Sequence, residues 1–199
     1  MRPVITDVTD RGVAHTKGAG MDPLTHVCSG VLIGQALQPN PSARRQTLIV
    51  LWLAASAPDL DAISYLWGPQ AYAHLHHSYT HTLLGLAVLA LLLAGIEKGV
   101  WMRVSFTRLF ALSSIGLAVH LAGDAVAVWP LRLLWPWSGR DFVLRWTGDF
   151  DLVVLAVVGL ATGLAATDVM RESAPWIIGA VVLILVGYFL WVPGIAGLK

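Results

Sequence analysis

Apolar runs alternate with short polar words along this chain, and the run lengths predict how it folds. Residues 175–196 (PWIIGAVVLILVGYFLWVPGIA) are unbroken and long enough to cross a bilayer, with Trp176, Tyr188 and Trp191 available as interfacial anchors. Residues 109–131 are equally long but contain His120 and Asp124, an ionisable pair that is costly against lipid and so is expected to face protein or water. Residues 82–96 and 152–167 are shorter charge-free runs, each a marginal span that can be extended at its ends. The two earliest runs, 27–37 and 47–57, reach only about half to two-thirds of the length needed to cross about 30 Å of hydrocarbon at about 1.5 Å per residue. They predict a short helical hairpin, broken at Gln38-Pro39-Asn40-Pro41-Ser42 with Arg44 and Arg45 beyond. The pattern therefore predicts an all-α, polytopic integral membrane bundle of about four spanning helices plus a short N-terminal helical hairpin.

Composition agrees with that pattern. Hydrophobic residues are 56% of the 199 positions, charged residues 13%, and the mean hydropathy is +0.69, all far from a soluble globular domain. Residues 1–20 are polar and glycine-containing, lack the apolar centre of a secretory signal, and are expected to form a disordered leader ahead of a single membrane domain over 21–199. A formal net charge of +1 gives no reason to expect a nucleic-acid partner. Cys28 is the only cysteine, so an internal disulfide and a thiolate-rich metal site are both excluded.

The polar words carry the chemistry. Six of the seven histidines lie in three of them: DPLTH (His26), APDLD with HLHHSYTH (Asp59, Asp61, His74, His76, His77, His81), and HLAGD (His120, Asp124). Laid head to tail, with the first two runs as one excursion in and back, the six runs bring all these words, and the DFD of Asp149 and Asp151, to one membrane face. Histidine and carboxylate together are the ligand set of zinc and other first-row divalent metals, on which water becomes a nucleophile near neutral pH.

Each word has a plainer alternative. His120 and Asp124, four apart on one helix face about 6 Å apart at Cβ, can reach one metal or two adjacent ones, or form a buried hydrogen-bonded pair; their depth in an apolar run favours the functional reading. Asp59 and Asp61 follow a helix-ending proline and cannot both enter one pocket from a helix, so one is a ligand candidate and the other a cap or a partner that holds a ligand histidine. His77 and His81 align on a helix, whereas His76 and His81 meet only across a turn before a helix starting near Thr80, with Ser78 and Thr80 as N-cap candidates. His26 alone reads as a cap or interfacial residue; its company makes it a ligand candidate. His15 is assigned to solvent. Segment 129–146, with four tryptophans, two prolines and three arginines, fits the headgroup layer, either as a plain anchor or as a lid presenting a lipid headgroup through Arg140 and Arg145.

Through DPLTH, PDLD, the His76 to His81 word, HxxxD and the later Pro-Trp-Ser plus acidic segment, the chain resembles the YdjM-like, LexA-regulated, membrane-bound metal-dependent hydrolases, from Met21 to about Asp151. The family's usual His-Arg-Gly-x-Thr-His-Ser falls on His76-His77-Ser78-Tyr79-Thr80-His81-Thr82. That implies His76 and His81 as ligands, with His77 where arginine is commoner; His77 stays open on helical spacing. The order of histidines and aspartates is also loosely similar to the multi-zinc site of zinc-dependent phospholipase C and related nucleases, which implies phosphoester substrates.

Together these readings predict one to three divalent ions, zinc above all, held by His26, Asp59, His76, His81, His120 and Asp124, with Asp61, His77, Asp149 and Asp151 as accessory ligands. Asp61 or Asp59 would accept a proton from water attacking a phosphoester or other ester of a lipid-like substrate in the surrounding membrane. A metal transporter or sensor needs a polar path that runs 82–96 and 175–196 do not offer. A protein whose metal only staples helices remains the other class, and a closed ligand shell would mark it. Arg44, Arg45, Lys98, Arg103, Arg108 and Arg171 oppose Arg132, Arg140, Arg145 and Lys199 across the membrane, a positive-inside bias toward a site on the non-cytoplasmic face of a prokaryotic inner membrane.

Overall fold

Prolines set the boundaries in the first half of the chain. Pro23, Pro41, Pro58 and Pro69 each open a helix, the position where a missing N–H costs nothing. In the computed structural model, which describes residues 22–37, 40–76, 78–127, 130–142, 144, 146–147 and 150–196, they begin α1 (Pro23–Leu37), α2 (Pro41–Ser56), a 3-10 helix (Pro58–Trp67) and α3 (Pro69–Leu75). α4 (Leu83–Val100), α5 (Phe106–Val126), α6 (Leu152–Ala166), a short 3-10 turn (Arg171–Ser173) and α7 (Ala174–Ala196) follow. Leader residues 1–20, the Gln38-Pro39 part of the break, His77, Arg145 and Asp149 lie outside the described residues.

The chain is the all-α membrane bundle that its hydropathy predicts. Leu83–Val100, Phe106–Val126 and Arg171–Trp191 are long and apolar enough to cross a membrane. The α2 stretch Ala43–Ser56 and Pro58–Trp67 meet the same test together but bend by 44° at the break between them. α1 and α6 have 15 residues each, about 22 Å of helix, shorter than the hydrocarbon layer. The run expected at 152–167 is thus a short helix, and the one expected at 109–131 is a helix that stops at Val126. Past that point the backbone pairs elsewhere: Leu131 and Phe142 exchange both N–H···O bonds at 2.8 Å in an antiparallel bridge. α4 begins at Leu83 rather than near Thr80, because the cap is Thr82, whose hydroxyl accepts from Gly85 N at 2.8 Å.

Among the described residues two larger apolar clusters hold the bundle, beside a smaller one of Val50, Ala94 and Leu109. One joins α1, α6 and α7 through Leu32, Val154, Val158, Ala161, Ala165, Ala174 and Val181. The other joins α2, α4, α5 and the following segment through Ala54, Ala57, Leu86, Ala90, Leu117, Leu121 and Leu131. α2 is gripped between α1 and α5 by small residues: a Cβ on Gly30 would lie 2.7 Å from the Leu51 carbonyl oxygen, and one on Gly116 would lie 2.6 Å from Ala54 Cβ. Such small contacts let backbones approach closely where lipid supplies no hydrophobic drive. They also bring the α2 C-terminus against α5, which the site exploits.

A candidate metal centre

The polar words converge as the alternating runs require. His26 enters from the first turn of α1, Asp59 and Asp61 from the 3-10 helix after α2, His76 and His81 from the turn before α4, and His120 and Asp124 from the last turns of α5. Asp124 stands among three imidazoles: its Oδ1 is 3.2 Å from His26 Nε2, and its Oδ2 is 3.2 Å from His81 Nε2 and 3.0 Å from His120 Nε2. Asp59 Oδ1 approaches the same two nitrogens at 3.7 and 3.6 Å. His26 stacks on His120 with ring centroids 3.8 Å apart. Ligand-type atoms of His26, Asp59 and His120, and of His81, His120 and Asp124, form two sets whose members all lie within 4.8 Å of one another.

The flanking groups fix which nitrogen faces inward. His120 Nδ1 donates to the Ala55 carbonyl at 2.7 Å, a contact made possible by the close approach at Gly116, so its Nε2 lone pair points to the cluster. Asp61 does the same for His81 through Thr80. The Thr80 hydroxyl donates to Asp61 Oδ2 at 2.5 Å and accepts from His81 Nδ1 at 2.9 Å, while Asp61 Oδ1 holds His76 Nδ1 at 2.5 Å. Of the two aspartates in APDLD, therefore, Asp59 faces the inward nitrogens and Asp61 braces two histidines from behind.

Burial is nearly complete. His81, His120 and Asp124 are fully buried and His26 is 2% exposed, while the Asp59 side chain, at 18%, is the most open of the five inward groups. His81 lies in the turn ahead of α4, outside the spans. Burial pulls its pKa down, but the carboxylates of Asp124, Asp59 and Asp61 around it outweigh that and push it up to about 11. With no cation present, a proton on His81 Nε2 joins it to His120 Nε2, 3.0 Å away.

Not every expected residue joins the cluster. Asp151, expected as an accessory ligand, instead caps α6, accepting from Val153 N at 2.9 Å and Val154 N at 3.2 Å, and takes the Tyr188 hydroxyl at 2.8 Å on its other oxygen. Both of its oxygens thus serve the cap and Tyr188, and it belongs to neither of the two sets of ligand-type atoms. His77, Arg145 and Asp149 lie outside the described residues. Arg140 is exposed on segment 130–142, which with Trp146 folds back over this end of the bundle: Leu83 N donates to Leu133 O at 2.9 Å, Trp146 N to Val126 O at 2.9 Å, and Tyr79 meets Trp135 edge-on at 5.0 Å. Thr80, an N-cap candidate by sequence, instead bridges Asp61 and His81, and the Ala55 carbonyl that holds His120 was not expected. Thr80 had a signal in standing next to His81; a backbone carbonyl has none.

No match was found among curated proteins or solved structures. The model of the YdjM inner membrane protein family matches residues 21–195, which takes in every element from α1 to α7 except the last residue of α7, and every polar word of the cluster. With three helices among the described residues long and apolar enough to cross a bilayer, this is an integral membrane protein, and it belongs to the YdjM inner membrane protein family.

Proposed function

We propose that the protein is a membrane-embedded metal-dependent hydrolase acting on a phosphoester or other ester of a lipid-like substrate. The observation that carries this reading is the convergence of His26, Asp59, His81, His120 and Asp124, from four separate elements, at one end of a lipid-facing bundle. The residues fit a divalent cation. His26 Nε2 is buried against Asp124 Oδ1 at 3.2 Å, His120 and His81 have their other nitrogens held by Ala55 O and Thr80, and the donor set is the nitrogen and carboxylate mixture that suits zinc. A bound divalent metal would supply Lewis acidity and lower the pKa of water to near neutrality.

The protein's own part is then to position and to accept a proton. Asp59, on the open side of the cluster, is the better proton acceptor, since both Asp61 oxygens already hold His76, Thr80 and His81. The tryptophan-rich segment lies at the same end and offers Arg140 to a headgroup. The excess of arginine and lysine at the opposite end supports a site facing away from the cytoplasm. Burial of four of the five groups favours a second reading, a closed structural site that staples helices. The exposure of Asp59 favours the enzyme.

Because His81 holds its proton throughout the neutral range, any metal using Nε2 must expel it. Metal binding is expected to release about one proton and to weaken about tenfold per unit fall in pH, read by calorimetry in buffers of differing ionisation enthalpy. Binding without proton release would take His81 out of the ligand set. The hydrolase reading is tested by incubating metal-loaded protein with phospholipids, lipid phosphates and carboxylic esters. Hydrolysis of at least one that a chelator stops and zinc restores is expected; no turnover across the panel would leave the structural reading.

A further inference from the structure

The other end of the bundle carries a second feature, roughly 18 Å along α2 from the cluster end, taken from Arg44 to Ser56. Arg44 and Arg45 lie at the N-terminal end of α2, Arg44 in its first turn and Arg45 just past it, where the positive end of the helix dipole disfavours cations, so helix stability does not explain them. With Arg171 they line an open cleft of about 410 Å³ whose remaining wall is Leu48 and Ile49. Among the described residues no carboxylate lines it. Asp168 engages one terminal nitrogen of Arg171 from outside the cleft, and one terminal nitrogen of Arg44 reaches the Ala165 carbonyl at the end of α6 at 3.3 Å. The Nε–H groups of Arg44 and Arg171 are both buried with no hydrogen-bond partner among the described residues. Two desolvated donors beside a third guanidinium are a standing cost unless an anion satisfies them.

We propose that this cleft binds the phosphate of an anionic phospholipid. Guanidinium forks match phosphate oxygens. Leu48 and Ile49, one turn further along α2 toward the middle of the bundle, supply an apolar wall for the first carbons of an acyl chain. Trp176, 82% exposed at the start of α7 and one turn beyond Arg171–Ser173, marks the same level as a headgroup interface. A free phosphate would use the arginines but gain nothing from the apolar wall, which is why the lipid is the favoured source.

The test uses the full chain in detergent, titrated with phosphatidylglycerol, phosphatidylcholine or inorganic phosphate and followed by native mass spectrometry and thermal stability. Saturable binding of phosphatidylglycerol in preference to phosphatidylcholine is expected, weakened about fivefold for each of Arg45→Gln and Arg171→Gln and unchanged by Arg132→Gln at the other end. Arg45 is exposed, so its substitution leaves packing intact even if replacing Arg44 or Arg171 disturbs α6. Equal binding of the two lipids, binding indifferent to Arg45→Gln and Arg171→Gln, or arginine-dependent binding of inorganic phosphate without lipid preference would each overturn the proposal.

Discussion

Asp124→Asn is expected to lower the metal content of the purified protein by at least about tenfold at equal metal supply, the lower end of the range seen even for losses outside the ligand shell. This one carboxylate faces His26, His81 and His120 at 3.0 to 3.2 Å, so its charge holds together whatever positive charge sits among them. Asparagine keeps the shape and removes the charge. It also turns amide hydrogens toward imidazole nitrogens that are needed as acceptors. His120→Ala should act similarly, because Nε2 is lost together with the Nδ1 anchor on Ala55. Circular dichroism of each variant separates loss of metal from loss of fold. Metal content equal to the unaltered protein in both folded variants would remove the α5 pair from the site.

Asp59 and Asp61 are expected to fail in different ways. Asp59→Asn should cut turnover by about two to four orders of magnitude at saturating metal, the usual contribution of a proton acceptor. Asp61→Asn should instead weaken metal binding about 10- to 100-fold by releasing His81 and His76, with activity recovered when metal is supplied in excess. The geometry makes this assignment: Asp59 is open on one side, while Asp61 has both oxygens engaged. Titrating metal against initial rate for the two variants reads the difference. An Asp61→Asn protein that stays inactive at saturating metal, beside an active Asp59→Asn, would give Asp61 the proton-accepting role.

Much of this arrangement is legible in the sequence because hydropathy and spacing are local. Run lengths give six of the seven α-helices among the described residues, missing α3 (Pro69–Leu75), and parity of crossing brings DPLTH, APDLD, HLHHSYTH and HLAGD to one end. The i,i+4 spacing puts His120 and Asp124 on one face, and of the two APDLD carboxylates Asp59 faces the inward nitrogens while Asp61 braces His76, as the split between them anticipates. What is not legible depends on close tertiary approach. The 3-10 geometry of Pro58–Trp67 decides which aspartate faces inward. The α2–α5 contact at Gly116 presents Ala55 O to His120, and no local pattern announces it. Asp151 shows the opposite failure: an acidic residue beside an apolar run reads equally as ligand or cap, and only the positions of Val153, Val154 and Tyr188 decide for the cap.

The central claim, a divalent cation held between His26, Asp59, His81, His120 and Asp124, is tested most directly by anomalous diffraction at the zinc edge on crystals of the protein purified without chelator, with elemental analysis of the same sample. One to three anomalous peaks are expected among these five side chains, together with at least one equivalent of metal. A cluster without an anomalous peak, in protein that stays metal-free after exposure to zinc, would contradict the account.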